Sequence, residues 1–373
     1  MPRHPSPTLS RRALNRALLA RQHLLERSTM PALAMVEHLL GLQAQAPAPP
    51  YFGLWSRVAG FRTDHLAALL RDRAALRLAL MRGTVHLVSA ADCGFLRPLV
   101  APVLERPLRA GATYARDLAG LDLEEVAAAA AALLATPQTM TGIGAALAER
   151  WPDRRPEALA MAARGMLPLV QLPPRAVWGA PGWGGRPVLQ PAERWLGRSL
   201  GRGGTAEELV RRYFGAFGPA SVADLQAWSG LTGLRPVVEG IRGELMSFRD
   251  EAGRELFDLP EAPRPDPATP APVRLLAAYD NLLLSHADRT RVLSDPHRKA
   301  MITPNGVVKG GYLVDGFVAG RWDLVRRAGE LRVVVEPLAP LSARRRSELA
   351  AEARRLLRFA AGSSDRVAVE LRE

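Results

Sequence analysis

This chain of 373 residues contains a single cysteine, Cys93. One thiol excludes an internal disulfide, a thiolate zinc cage and a cysteine-ligated iron–sulfur cluster. Cys93 itself reads most simply as a small buried residue. The 7 histidines are scattered, with no spacing that signals a metal. Long apolar runs are missing too: the longest, VAAAAAALLA, falls well short of the ~20 residues that cross a bilayer. The opening segment MPRHPSPTLSRRALNR has no apolar signal core. The expectation is a cytoplasmic protein with no membrane span and no metal site. Lysine is almost absent, since Lys299 and Lys309 are the only lysines among 50 basic side chains. With so much Ala, Gly and Pro, that ratio partly reflects GC-rich codon usage, to which net charge is less exposed.

What the chain does contain is apolar bulk and positive charge. At 48% hydrophobic it is long enough for two or three packed domains with a sizeable core. A formal charge of +13 and a pI near 11 concentrate polyanions around the surface, which makes nucleic acid the leading partner. The charge alone is also compatible with a merely soluble basic enzyme.

A module recurs in outline three times, each copy being two or three short helical patterns followed by strand, turn and strand. In the first, SRRALNRALLARQHLL and MPALAMVEHLLGLQAQ show apolar residues at helical spacing, with Ser10 or Thr8 as a cap. TDHLAALLRDR follows, capped by Thr63 or Asp64, and LRLALMRGTVHLVSA reads as two strands around Arg82-Gly83. The second copy runs from DLEEVAAAAAALLA through TGIGAALAERWP and RPEALAMAARGML to LVQLPPRAVWGAPGWGGRPVLQ, a hairpin with a Gly/Pro/Trp tip. The third ends in MSFRDEAGRELFDL, whose DEAG centre suits a hairpin turn. Helices closed by a hairpin are the winged-helix plan, in which the last helix faces a DNA groove and the wing lies on the backbone or in the adjacent groove. The segments expected are module 1 over 1–120, module 2 over 121–200, module 3 over 201–260, a proline-rich linker over 261–272 and a small α+β domain over 273–373. In that last domain YLVDGFVAGRW turns on Asp315-Gly316, a type I′ signal. The fold class expected is α+β, mostly helical, with tandem winged-helix modules and a C-terminal α+β domain.

Several stretches could carry chemistry. TMTGIGAALAE resembles the Gly-x-Gly turn of helix-hairpin-helix DNA glycosylases, but the following helix offers only Glu157 where those enzymes carry an Asp. GWGG and GRGG do not open a helix after a strand with Lys-Ser/Thr, so they are not phosphate loops. Asp280, His286, Asp288 and Arg289 mix acid, imidazole and cation within YDNLLLSHADR. Paired structural charges account for them better than a small-molecule hydrolase site, which has no nucleophile elbow or metal spacing behind it.

GLQAQAPAPPYFGLWSR places Gln43 and Gln45 where an apolar helical pattern breaks into proline. Structurally the pair could be an ordinary polar helix end. Chemically, an amide cannot ionise: its carbonyl orients a water and its NH₂ donates, but it is a very weak base. An enzyme relying on such groups needs a leaving group that is already activated. The N-glycosidic bond of an N7-alkylated purine qualifies, because alkylation makes the base cationic and it departs neutral. The transition state then resembles an oxocarbenium ion and asks for a positioned water and a carbonyl dipole aimed at the sugar.

Taken in order, GLQAQAPAPPYFGLWSR, LMRGTVHLVSAAD, YDNLLLSHADR and NGVVKGGYLVDGFVAGRW resemble the AlkZ-like winged-helix family of bacterial DNA glycosylases, which includes azinomycin-resistance enzymes and YcaQ-type relatives. The resemblance spans nearly the whole chain. It implies tandem winged helices in a C-shaped arrangement around double-stranded DNA, and a Gln-apolar-Gln catalytic motif, here Gln43-Ala44-Gln45. The YcaQ-like branch carries Asp at the second Gln, so the chain is similar to the AlkZ-like branch. Ala44 is small for the middle position. The resemblance further implies action on N7-alkylguanine, bulky adducts and interstrand crosslinks included, with no cofactor, as a nucleoid-associated monomer. No lysine stands near the motif, which agrees with a monofunctional hydrolase. Arg57, Arg82, His86, His286 and Arg289 are expected on DNA, by their place beside these motifs, with a core histidine the alternative for His86. A non-catalytic winged-helix regulator is the alternative; the glutamine pair, and three unequal modules in one chain, weigh against it.

Overall fold

The computed structural model describes residues 6–110, 113–201, 203–327, 329–362 and 365–372. It is an α+β fold in which helix predominates and three separate sheets are embedded. The first helix, Arg11–Arg21, starts where Ser10 accepts a hydrogen bond from the Ala13 N–H at 3.1 Å, an N-cap of the expected kind. The second, Ala32–His38, stops earlier than the apolar pattern suggests. Leu40 (φ 54°) and Gly41 (φ 93°) turn the chain into left-handed conformations. Gly41 is required twice over, since a Cβ there would lie 2.7 Å from Val88 Cγ1 and 2.9 Å from the Leu87 carbonyl oxygen. Gln43 therefore closes a short strand, Leu42–Gln43, with Gln45 two residues on, and the pair is not a helix end. Apolar spacing could not reveal this, because Leu39, Leu40, Leu42 and Ala44 are buried in either geometry. At the helix Thr63–Arg71 the N-cap position is Arg62, one residue before the expected caps.

That strand is the edge of a six-stranded sheet. The order is Leu42–Gln43, Val85–Ser89, Ala75–Ala79, Leu169–Gln171, Val188–Pro191 and Gln138–Thr139, with antiparallel neighbours throughout. The hairpin about Arg82-Gly83 and the one with the Gly/Pro/Trp tip both form, and Leu78 pairs with Val170 to join them edge to edge. Pairing abolishes two exposed strand edges. The third hairpin, Met246–Asp250 with Glu255–Asp258, gains Thr8–Leu9 as a parallel partner. The C-terminal sheet runs Arg274–Leu276, Gly311–Val314, Phe317–Arg327, Glu330–Pro337 and Arg366–Leu371. Its turn residues Asp315 (φ 49°) and Gly316 (φ 85°) are both left-handed, as a type I′ turn requires.

Two apolar cores run across the expected segments. Leu18, Leu78, Tyr213, Trp228 and Leu283 share one, and Leu42, Ala44, Phe52, Trp178, Trp322 and Leu349 share the other. The six-stranded sheet lies between them: Leu76, Leu78 and Val88 belong to the first core, Leu42, Ala75, Val85 and Leu87 to the second. Two ion pairs sealed inside reinforce this, Arg21 with Asp258 and Arg57 with Asp280. The proline-rich stretch is fastened by the first helix: Arg12 donates to the Pro267 carbonyl (2.7 Å) and Arg16 to that of Thr269 (2.6 Å). Cys93 is buried, and burial pushes its thiol up to about 12, so it is a packing residue.

Candidate active site around the glutamine pair

Strand alternation separates the motif into two faces. Gln43 pairs with His86, which pairs with Leu78, so these side chains stand in one row toward the first core. Ala44 turns into the second core, where a small side chain is what the packing accommodates. Gln43 is buried and Gln45 is exposed. The backbone continues the pairing beyond the strand, with the Ala44 N–H donating to the Val85 carbonyl at 2.7 Å. Gln45 Oε1 accepts from the Val85 N–H at 3.2 Å, which fixes that side chain against the hairpin.

Arg82 sits at the hairpin tip with φ 55°, in the left-handed region that few non-glycine residues adopt. Its Nη2 donates to Gln43 Oε1 at 2.8 Å and lies 3.5 Å from His86 Nε2. Its Nη1 donates to the Trp228 carbonyl in the last turn of helix Val222–Ser229. Burial, and then the charge of Arg289, lower the Arg82 pKa to about 10, so the guanidinium stays charged at neutral pH. His86 is 1% exposed, and burial followed by the Arg82 charge pushes its pKa down to about 3. It is therefore neutral, with Nδ1–H donating to the Thr84 carbonyl at 3.0 Å and Nε2 left as an acceptor facing Arg82.

From the other face, Arg77 Nη2 donates to the Ala44 carbonyl at 2.7 Å. Arg77 is 1% exposed, and its Nε and Nη1 have no partner in the protein. It was missed from sequence, although a charged residue inside LRLAL is an anomaly on a strand buried on both faces. The motif is thus gripped by two arginines, through a side chain on one face and a carbonyl on the other.

The remaining expected site residues divide. Arg289 is half-buried with its Nε unpartnered, and Arg298, on the short helix Asp295–Met301, is exposed and lowers the Arg289 pKa after burial does. Arg289 acts on Arg82 and Arg298 acts on Arg289, so the three guanidinium groups form a run. Arg57 and His286 do not belong here. Arg57 is wholly buried, with Nη2 2.6 Å from Asp280 Oδ1 and Nη1 2.9 Å from Oδ2, and has no face for a phosphate. His286 is 1% exposed between the Phe217 carbonyl (3.0 Å) and Ser285 (3.1 Å). Asp288 pairs with Arg254, so the acids and imidazole of YDNLLLSHADR are three separate structural pairs and not a hydrolase site. Among the described residues no group of three or more His, Cys, Asp and Glu could hold a metal ion.

The family model described as AlkZ-like DNA glycosylase matches residues 36–359, which include both glutamines and both gripping arginines. The chain belongs to the AlkZ-like DNA glycosylase family. A curated relative, the interstrand DNA cross-link repair glycosylase of Streptomyces sahachiroi, is 26% identical over 333 residues, 82% of this chain and 86% of that protein. The solved structure of the Streptomyces sahachiroi DNA glycosylase AlkZ superposes with a TM-score of 0.79 at 22% identity, covering 98% of this chain and all of the other. That likeness fixes the fold. Within this AlkZ-like chain, no carboxylate is among the hydrogen-bond partners of either glutamine, of Arg82 or of His86. The arrangement can hold and orient a water or a sugar oxygen. Among the described residues, none of these hydrogen-bond partners is an acid that delivers a proton at neutral pH.

Proposed function

We propose that the protein is a monofunctional glycosylase that hydrolyses the N-glycosidic bond of N7-alkylated purines in duplex DNA and leaves an abasic site. Its substrates are bulky guanine adducts and interstrand crosslinks, and it acts as a cytoplasmic monomer on the nucleoid, in repair or in self-resistance to a genotoxic natural product. One observation carries the reading: a fixed glutamine pair with a neutral histidine and no proton donor. Such a site cannot protonate a departing guanine, so it discriminates for bases whose N7 alkylation has already supplied the positive charge. Gln43 and Gln45 hold a water against C1′ while the charge develops on the sugar. Arg289 and Arg298 take backbone phosphates beside the lesion, and the winged-helix hairpins lie along the grooves. Rotation of a crosslinked base into a closed pocket is impractical, so the lesion is met where it stands.

The test is release of free base from a duplex carrying one N7-alkylguanine, with unmodified duplex as control and bulkier adducts and crosslinks in parallel. Base release confined to the alkylated duplexes supports the proposal. A sequence-specific footprint, with no base release from any of these lesions, overturns it in favour of a winged-helix regulator.

A further inference from the structure

Among the described residues, the half-buried guanidinium of Arg82 has no carboxylate among its hydrogen-bond partners. Two neutral oxygens hold it instead, Gln43 Oε1 and the Trp228 carbonyl. The second closes the C-terminal turn of helix Val222–Ser229, where the helix dipole places partial negative charge. Gly230, the left-handed cap of that helix, allows the approach: a Cβ there would lie 3.2 Å from the Arg82 backbone nitrogen and Cα. Arg82 thus bridges the hairpin tip, the glutamine and a helix from another part of the chain.

Resting on the glycosylase reading above, we propose that Arg82 is a positioning residue for the reaction: it fixes the orientation of the Gln43 amide and does not bind a phosphate. An arginine has only donors, so Gln43 must turn its oxygen toward it and its NH₂ away. Without the clamp the amide can rotate by half a turn, which exchanges donor for acceptor at the position where the water is held. His86, a neutral acceptor 3.5 Å from the same Nη2, gives the guanidinium a further oriented neighbour. The left-handed backbone at Arg82 is consistent with this, because it aims the side chain back across the hairpin.

The experiment is a double-substitution cycle read in three ways on the full chain. Arg82→Met is expected to slow single-turnover base release by about 10- to 100-fold. Duplex affinity and its salt dependence should stay as in the wild type. In a Gln43→Ala background, Arg82→Met should add less than about 2-fold, because a residue acting through Gln43 has nothing left to position. Multiplying effects, or a salt slope reduced by about 1, would place Arg82 on a phosphate and overturn the proposal. Arg82→Lys keeps the charge and serves as the folded control, checked by thermal melting. In it, the side-chain amide signals of Gln43, assigned by their loss in Gln43→Ala, should shift in a ¹⁵N–¹H spectrum. Signals unmoved in Arg82→Lys contradict the clamp. This readout needs no substrate, so a wild type that releases no base sinks the glycosylase reading while leaving the clamp separately decided.

Discussion

Replacing Asp280 by Asn separates a structural reading of the Arg57–Asp280 pair from a functional one. Both side chains are 0% exposed, and the carboxylate takes two Arg57 nitrogens at 2.6 and 2.9 Å and the Leu282 N–H at 3.0 Å. The Arg57 guanidinium also leans on the Gly53 carbonyl and Gln22 Oε1. The amide keeps one acceptor but deletes the compensating charge, stranding a buried cation. Breaking a buried pair by removing one partner typically costs about 3–5 kcal/mol; the retained acceptor places Asp280→Asn near the lower end, about 3 kcal/mol. The double substitution Arg57→Met with Asp280→Leu removes both charges and should recover most of that loss. Asp64→Asn, in the exposed pair with Arg62 (60% and 67% exposed), should leave stability unchanged. Urea unfolding with matched slopes measures all three. The reasoning is refuted if Asp280→Asn unfolds at the wild-type midpoint, or if Arg57→Met keeps that midpoint but weakens DNA binding.

Other outcomes follow from the same contacts. Burial holds His86 and His286 at about 3, so between pH 6.5 and about 3 the unfolded chain binds protons that the folded chain does not. Stability is full above pH 6.5 and falls with pH by about 1.4 kcal/mol per unit for each histidine; urea midpoints equal at pH 7 and pH 5 would contradict this. Arg289→Ala and Arg298→Ala should each weaken duplex binding and lower the salt slope by about 1, with base release at saturating protein unchanged. A rate that falls at saturation would instead put them in the chemistry. Gly41→Ala, at φ 93° with a Cβ 2.7 Å from Val88, should destabilise by about 1–3 kcal/mol and displace the glutamine strand. A variant melting at the wild-type temperature would show that the turn does not need glycine.

Local patterns in this chain read well from sequence where the determinant is local. Asp315-Gly316 turns as the dipeptide demands, Ser10 caps, and the strand pair about Arg82-Gly83 forms. The glutamine pair stood out in the sequence, as two amides where an apolar helical pattern breaks into proline. Its setting did not. The helix end at His38 depends on Gly41 meeting Val88 and Leu87, residues more than forty positions away. Arg57 finds Asp280 at a separation of 223 residues, and no spacing rule forecasts that an arginine beside the motif will be sealed by an acid from the far side of the chain. His286 was misplaced for the same reason, since the Phe217 carbonyl that holds it is 69 residues away. Arg82 was expected on DNA; sequence shows its charge but not the Gln43 and Trp228 oxygens to which its guanidinium donates.

The central claim is that Gln43 and Gln45 carry the chemistry. Single-turnover release of N7-alkylguanine from a duplex by Gln43→Ala and Gln45→Ala, with duplex affinity measured on the same preparations, tests it most directly. The account predicts a rate lower by ~10²-fold or more for each substitution, about 2.7 kcal/mol of lost transition-state stabilisation, with affinity retained. Release at the wild-type rate by either variant, or a loss that tracks weakened binding, would contradict it.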